Sequence, residues 1–461
     1  MGFREEKDSL GVVMVPDSAH YGAQTQRAVE NFTIGNLTLQ ESFIHALALI
    51  KKCAAIVNLK LGLLKDDTAK AIISAASRVM DGDTMAGGVY QFPVNVFQTG
   101  SGTSSNMNMN EVLASMANES LTGKKGGKSP VHPNDHVNLG QSSNDVFPTA
   151  LHISVLTGVR KKAIPALSEL ETALTQKSVQ FGDIYKIGRT HLQDAVPMKL
   201  GDEFSGYARQ IALAGERLIS GGEGLLELAL GGTAVGTGLN AHPLFAREVI
   251  SLISAETDLP FKEASNHFEA QGAQDSAVFM SGAFKSAAVS MIKIANDIRL
   301  LASGPRCGLG EIILPSLQPG SSIMPGKVNP VIPEAVIQAG AQVIGNDAAV
   351  TAGGQWGFFE LNTMLPLIAY NLLFSVELIS SAARSFCRKC ITGITADRGV
   401  CEGYIEKSLA LVTGLTPLIG YDKAAYVAKK AYESGKTIRE TVLEENLLKE
   451  KELDELLRPD R

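Results

Sequence analysis

Tryptophan occurs once in this chain, and aromatic residues together make up only 6% of it, against 45 glycines. That balance suits closely packed helices better than an aromatic-rich sheet. Cysteine is also sparse: Cys53, Cys307, Cys387, Cys390 and Cys401, an odd count at irregular spacing that argues against a disulfide framework. The Cys387-x-x-Cys390 pair has no second ligand pair at finger spacing. Its flanks, Phe386, Arg388 and Lys389, fit an amphipathic helix, so structural cysteines are the preferred reading. An excess of basic charge is missing too: net charge is −6 and the pI near 5.8, which points to neither nucleic acid nor an anionic membrane as partner. No uncharged run reaches membrane-spanning length, since residues 365–383 contain Asn371 and Glu377. The start, MGFREEKDSLG, lacks the apolar run of a secretory signal, and Glu6 stands where a myristoylation pattern needs Ser or Thr. The sequons at Asn31, Asn36 and Asn118 carry little meaning without a secretion route. A soluble, cytoplasmic protein is expected.

What is present is long-range organisation. A chain of 461 residues has room for about three domains at ~150 residues each. Residues 318–331 hold Pro319, Pro325, Pro330, Gly320 and Gly326, too many breakers for a helix or strand. That loop carries Ser321, Ser322, Lys327 and Asn329 between two apolar helical patterns. Polar groups on a loop held by a helical frame are a common setting for chemistry, and a solvated surface loop is the plain alternative.

Three further stretches have the same character. In residues 98–111, Gly100 and Gly102 let backbone amides approach a ligand, and the Ser/Thr cluster at 103–105 is expected to cap a helix. Residues 141–145, QSSND, precede a helical stretch expected to begin around Pro148, with Asp145 as its cap. Residues 186–195 set His191 beside Thr190, Gln193 and Asp194 in what reads as a polar loop after the breaker Gly188. Residues 131–138 hold His132, Asn134, Asp135 and His136, but their tight spacing across Pro133 matches no familiar metal pattern. Residues 229–240 are glycine-rich, yet lack a P-loop lysine and the GxGxxG order, so they read as a turn at a close packing point.

Between 149 and 400 helical periodicity dominates, with patterns over 278–301, 331–350 and 365–383 that are apolar nearly all round. Such helices should be buried on every side, and one subunit cannot cover so many faces. An oligomer with a helix-bundle core is expected. From about residue 399 the composition changes, and the tail to Arg461 is highly charged. The expected division is 1–141, 142–398 and 399–461.

Residues 320–330 read GSSIMPGKVNP, which resembles the fumarase/aspartase signature G-S-S-x-M-P-x-K-x-N-P without departure. TGSGT at 99–103 and KIGRTHLQDA at 186–195 resemble two further blocks of that superfamily. The resemblance covers essentially the whole chain. It implies a mainly α, three-domain fold with a central long-helix bundle forming a homotetramer core, and active sites shared between subunits. It implies a small dicarboxylate substrate and no metal or other cofactor. Ser321 would be the base and His191 a proton shuttle braced by Glu334. Ser101, Gly102, Thr103, Ser142, Ser143, Asn144, Thr190, Ser322, Lys327, Val328 and Asn329 would contact substrate. His132, Pro133, Asn134 and Asp135 would form a secondary anion site near the entrance.

Within the superfamily, aspartate ammonia-lyases usually show Ser-Thr-Asn-Asp where this chain has Ser142-Ser143-Asn144-Asp145, and Gly-Ala-Gly-Thr where it has Gly100-Ser-Gly-Thr103. They often begin the anion-site block with Asn rather than His132. These points favour the class II fumarate hydratases, whose reaction is reversible hydration of fumarate through an aci-carboxylate. Residues 389–396 and 400–404 look aspartase-like, which keeps aspartate ammonia-lyase as the alternative. A catalytically dead lyase-like scaffold would be marked by loss of Ser321, Lys327, Asn329 or His191, and all four are present.

Overall fold

The computed structural model describes residues 2–456. It is mostly helical, and every sheet in the described residues has two strands. The chain forms two compact units, each discontinuous in sequence. One comprises Met1–Pro165, Glu216–Ala288 and Ala341–Ser380; the other comprises Ala166–Gly215, Val289–Gly340 and Ser381–Arg461. Residues 457–461 of the charged tail lie outside the described residues.

In the first unit, the Glu41–Lys60 helix buries Phe43, Leu47, Ile50, Ala54 and Val57, the stripe its apolar spacing predicts. It packs on the Asp66–Met80 helix, which carries its own small apolar face of Ile72, Ala76 and Val79. The same helix also buries Lys51 and Asn58, which its periodicity does not predict. The polar lead at the N-terminus is a β-hairpin, with Phe3–Asp8 antiparallel to Gly11–Pro16 and alternate residues turned outward. Behind it, the buried Glu111 of the Thr103–Thr122 helix caps the Ala23–Asn31 helix. Its carboxylate accepts from the amides of Gly22, Gln24 and Thr25 at 2.9, 2.9 and 3.0 Å, and from Thr25 Oγ1 at 2.6 Å. One carboxylate thereby satisfies donors that a helix N-terminus leaves without partners.

In the second unit, a hairpin of Tyr185–Thr190 and Gln193–Lys199 stands among helices. Towards the C-terminus, Ile405, Leu415, Val427, Ala431, Ile438, Val442 and Leu453 gather into a small core of their own. Cys53, Cys387, Cys390 and Cys401 are buried free thiols, while Cys307 is exposed. Burial pushes the thiols of Cys53, Cys390 and Cys401 up to about 12, which keeps them protonated and packed as small hydrophobes.

Glu41–Lys60, Asp275–Leu301 and Leu365–Gly393 are long and apolar enough to cross a membrane by length and composition, more than the sequence reading allowed. The first has 72% of its apolar window buried inside the fold. A single chain leaves faces of the long helices open, as expected of helices that one subunit cannot cover. Only 44% of the Asp275–Leu301 window is buried, and Phe279, Val289 and Leu300 stand exposed.

Candidate active site

The glycine-proline loop of the second unit closes on itself. Gly320 N donates to Lys327 O at 2.7 Å, and Asn329 Nδ2 donates back to Gly320 O at 2.7 Å. A Cβ at Gly320 would come within 2.8 Å of Asn329 N and Lys327 O, so only glycine lets the two sides meet. Gly326 takes the left-handed φ of +79° that turns the chain back. Inside this ring, Ser321 Oγ accepts from the backbone N–H groups of Ile323 at 3.2 Å and Met324 at 3.0 Å. Two amide dipoles aimed at a hydroxyl oxygen favour negative charge on it. Ser322 and Lys327 are exposed beside it, and Val328 is 47% exposed. Glu334 lies just beyond, in the first turn of the Val331–Gly354 helix.

His191 does not sit in an irregular loop. It is at the tip of the hairpin, where Thr190 pairs with Gln193 across a two-residue turn. His191 and Leu192 both have positive φ, 55° and 59°, the conformation of a primed hairpin turn that normally selects Asn-Gly. Two non-glycine residues there are strained, as tends to occur where function fixes the side chain. Gly188 is no breaker but the site of a register shift within the strand, and a Cβ on it would lie 2.9 Å from Val196 O.

The hairpin stands on a buried ionic cluster. Lys186 Nζ meets Glu203 Oε2 at 2.8 Å and Glu311 Oε2 at 3.1 Å, and Arg189 Nη2 meets Glu311 Oε1 at 2.8 Å. Glu311 is fully buried. Sequence reasoning missed this support, because Glu311 is far along the chain and nothing local marks it. Within one chain, no hydrogen bond or ion pair joins His191 to Glu334 among the described residues.

The first unit holds the other predicted groups. Gly102, at φ +73°, is the N-cap of the Thr103–Thr122 helix, in place of the expected Ser/Thr cluster. Upstream side chains take two of the amides at that helix start: Thr99 Oγ1 accepts from Ser104 N at 3.2 Å and Gln98 Oε1 from Ser105 N at 3.0 Å. Ser101 Oγ and Thr103 Oγ1 are 2.9 Å apart at the helix start. A Cβ on Gly102 would fall 1.9 Å from the Phe147 ring.

The next helix runs from Ser143 to Gly158, so it begins five residues before Pro148. A capping box wins over the proline: Ser142 is the N-cap and Asp145 the reciprocating N3 residue. Asp145 is completely buried. Its Oδ1 accepts from Ser142 N at 2.9 Å, and its Oδ2 from Gly231 N at 3.0 Å and Thr233 N at 2.9 Å. Burial raises its pKa, while those three amides work in the opposite direction. The glycine-rich 229–240 segment is thus the close-packed turn that clamps Asp145. Ser143 is buried and receives Asn106 Nδ2 at 3.2 Å, and Asn144 Nδ2 donates to Ala234 O at 2.8 Å.

At the predicted secondary anion site, Pro133–Val137 is one π-helical turn capped by His132. His132 Nδ1 accepts from Asn134 N and Asp135 N, both at 3.1 Å. A nitrogen accepting two N–H groups carries no proton, so the Asp135 carboxylate at 3.5 Å makes no charge-assisted bond to it. Pro133 is buried, and Asn134 and Asp135 are exposed.

Residues 11–345 match the family model described as Lyase, and residues 411–461 match the one described as Fumarase C C-terminus. A curated class II fumarate hydratase from Nitrosomonas europaea is 54% identical over 96% of this chain and 95% of its own length. One from Methylorubrum extorquens is 51% identical over 99% and 96%. The chain belongs to the class II fumarate hydratase family. Solved structures agree: the class II fumarase from Schistosoma mansoni has a TM-score of 0.94 at 42% identity, covering 99% of this chain and 98% of that one. The fumarate lyase:delta crystallin from Brucella melitensis, crystallised bound to cobalt, also has a TM-score of 0.94, at 44% identity over 99% of both chains. That likeness runs over nearly the whole chain, so the aspartase-like stretches at 389–396 and 400–404 do not decide its family.

Proposed function

We propose that this protein interconverts fumarate and L-malate, with Ser321 as the base. The observation that carries the role of Ser321 is its hydroxyl oxygen held under two backbone N–H donors, 3.0 and 3.2 Å away. A serine hydroxyl is far too weak an acid to serve unaided, and fixed donors lower the cost of its alkoxide. In dehydration, Ser321 takes the proton from the carbon beside a carboxylate of L-malate. The electron pair moves into that carboxylate, giving the aci form. Lys327 and the second N–H of the Asn329 amide stabilise it, the first being engaged with Gly320 O. Collapse of the aci form expels the hydroxyl, which leaves as water, and His191 relays protons to and from that water.

Ser101, Gly102, Thr103, Ser142, Ser143 and Asn144 hold the substrate carboxylates, and Thr190, Ser322 and Val328 complete the contacts. The 132–135 turn serves as the secondary anion site. The loops that meet in one site come from different copies of the chain, and Glu334 braces His191 across such a boundary. The exposed Ile323, Met324 and Val328 of the catalytic loop and the open faces at Phe279 and Leu300 support a homotetramer. The match of 411–461 to a separate family model supports a distinct C-terminal domain within the division 1–141, 142–398 and 399–461. The working compartment is the cytoplasm.

Asp145 speaks against ammonia as the leaving group. An ammonium needs a carboxylate, and both oxygens of Asp145 are already occupied by backbone amides in a fully buried position. Purified protein should therefore make and consume fumarate with L-malate and water alone, followed by fumarate absorbance, with negligible fumarate from L-aspartate. Faster turnover of L-aspartate than of L-malate would overturn the assignment.

A further inference from the structure

Lys51 is a lysine in a place where helices keep leucine. It lies in the middle of the Glu41–Lys60 helix, is 0% exposed, and has no carboxylate partner among its hydrogen bonds. Its Nζ donates instead to two side-chain amides, Asn138 Oδ1 at 3.0 Å and Gln141 Oε1 at 2.8 Å. Burial pushes its ammonium down to about 7, opposed by the charge of Asp145. A buried charge held by neutral groups is costly, and an apolar side chain of similar size would fill the same space. Retention of the cation calls for a role beyond packing.

Its partners supply one. Asn138 Oδ1 also receives Asn106 Nδ2 at 3.2 Å and Asn110 Nδ2 at 3.1 Å, and Asn138 Nδ2 donates to Gln141 O at 3.1 Å. Asn106 Nδ2 reaches on to Ser143 Oγ at 3.2 Å. Gln141 itself ties down the turn through Val137 O and Leu139 O. Lys51 thus sits at the root of a buried network whose outer end is the Ser143 hydroxyl and whose covalent continuation is Ser142.

We propose that Lys51 is a positioning residue for the substrate-binding cluster at 142–144, acting through Asn138, Gln141 and Asn106 to fix the Ser143 hydroxyl. The inference rests on the role of Ser143 proposed above. In its ammonium form Lys51 has donors and no acceptor, so it orders Asn138 and Gln141: their oxygens must face it, and their N–H groups must then face outward. Asn106, pointed this way, presents a donor to Ser143 Oγ. The hydroxyl proton is left free to face the ligand. Replacing the ammonium by a methylthio group removes the reason for that orientation, and the amides can flip.

The test is a double-mutant cycle on the full chain. Lys51→Met, Ser143→Ala and the pair are assayed for kcat and KM with fumarate, and for fumarate binding by calorimetric titration. Circular dichroism and light scattering confirm that each is folded and assembled as wild type. Lys51→Met should raise KM about tenfold, the scale of one lost polar contact, while kcat changes less than about threefold. Adding Ser143→Ala to Lys51→Met should cost little more, because the two act on one contact. Asn106→Ala, which cuts the same link without touching the buried charge, should reproduce the KM effect and keeps the test open if Lys51→Met does not fold. An unchanged KM in Lys51→Met or Asn106→Ala, or effects of Lys51→Met and Ser143→Ala that multiply, would overturn the inference. A wild type that binds fumarate without turning it over would instead sink the hydratase reading, and the binding arm of the cycle would still decide the role of Lys51.

Discussion

The loop at 320–329 and the helix start at 142–145 carry the same kinds of side chain, yet they are built in opposite ways. The loop is exposed and braced by its own backbone, with Gly320, Lys327 and Asn329 closing the ring around Ser321. The helix start is half-buried and braced from outside, with buried Asp145 clamped by Gly231 and Thr233 and buried Ser143 held by Asn106. A group that reacts needs its donors aimed at one atom, which a short self-closed loop can do alone. A group that only recognises a carboxylate needs to stay where it is, and a packed scaffold serves that better.

If that contrast is right, substitutions in the loop should act on kcat and those at the helix start on KM. Ser321→Ala gives the largest effect: a kcat loss of roughly 10²–10⁴-fold with fumarate still bound. Turnover within about threefold of wild type would move the base elsewhere, with His191 first in line. Glu311→Gln tests whether the His191 hairpin depends on its buried cluster. Leaving Arg189 without its anion and Lys186 with Glu203 alone should cost about 3–5 kcal/mol in denaturant unfolding, and an unchanged midpoint would show that the cluster is dispensable.

His191→Asn comes next. Asparagine tolerates the left-handed turn, so the fold should hold or tighten while kcat falls about a hundredfold. A fall in thermal stability instead would mean that the histidine is there for the turn. Ser143→Ala should raise KM for L-malate by about tenfold and leave kcat nearly intact; a kcat defect alone would erase the contrast between the two regions. Ser322→Ala should be the mildest, at about twofold to fivefold in kcat/KM, because the hydroxyl is exposed and does not receive the two amides that Ser321 does. An effect equal to that of Ser321→Ala would reassign the base to the pair.

The sequence made the glycine-proline loop legible because its signals are local. Prolines and glycines mark where the chain must turn, and the polar groups lie between them. The Phe43–Val57 stripe was equally plain, since helical burial repeats every three to four residues. His191 was found, but its hairpin was not: a strand of six residues interrupted by a register shift at Gly188 has no clean alternation to read. The start of the Ser143–Gly158 helix was placed late because Pro148 is a strong local signal, whereas the capping box that overrides it depends on one side chain turning back. Lys51 stayed hidden for the opposite reason. A lysine on an amphipathic helix reads as solvent-facing, and its partners lie 87 and 90 residues away.

The missing side chain at Gly102 has a wider consequence. The space its Cβ would fill is taken by the ring of Phe147, three residues beyond Asn144 on the following helix. The two clusters proposed to grip the substrate are therefore interlocked through one aromatic ring, and neither can drift without pushing the other. A ligand arriving there meets a vice already set to its jaw width, so little of its binding free energy is drained into ordering the protein. The same interlock constrains how the chain can change: a side chain at 102 would displace the Phe147 ring and would also meet the left-handed backbone there, so glycine is required at 102 on two counts.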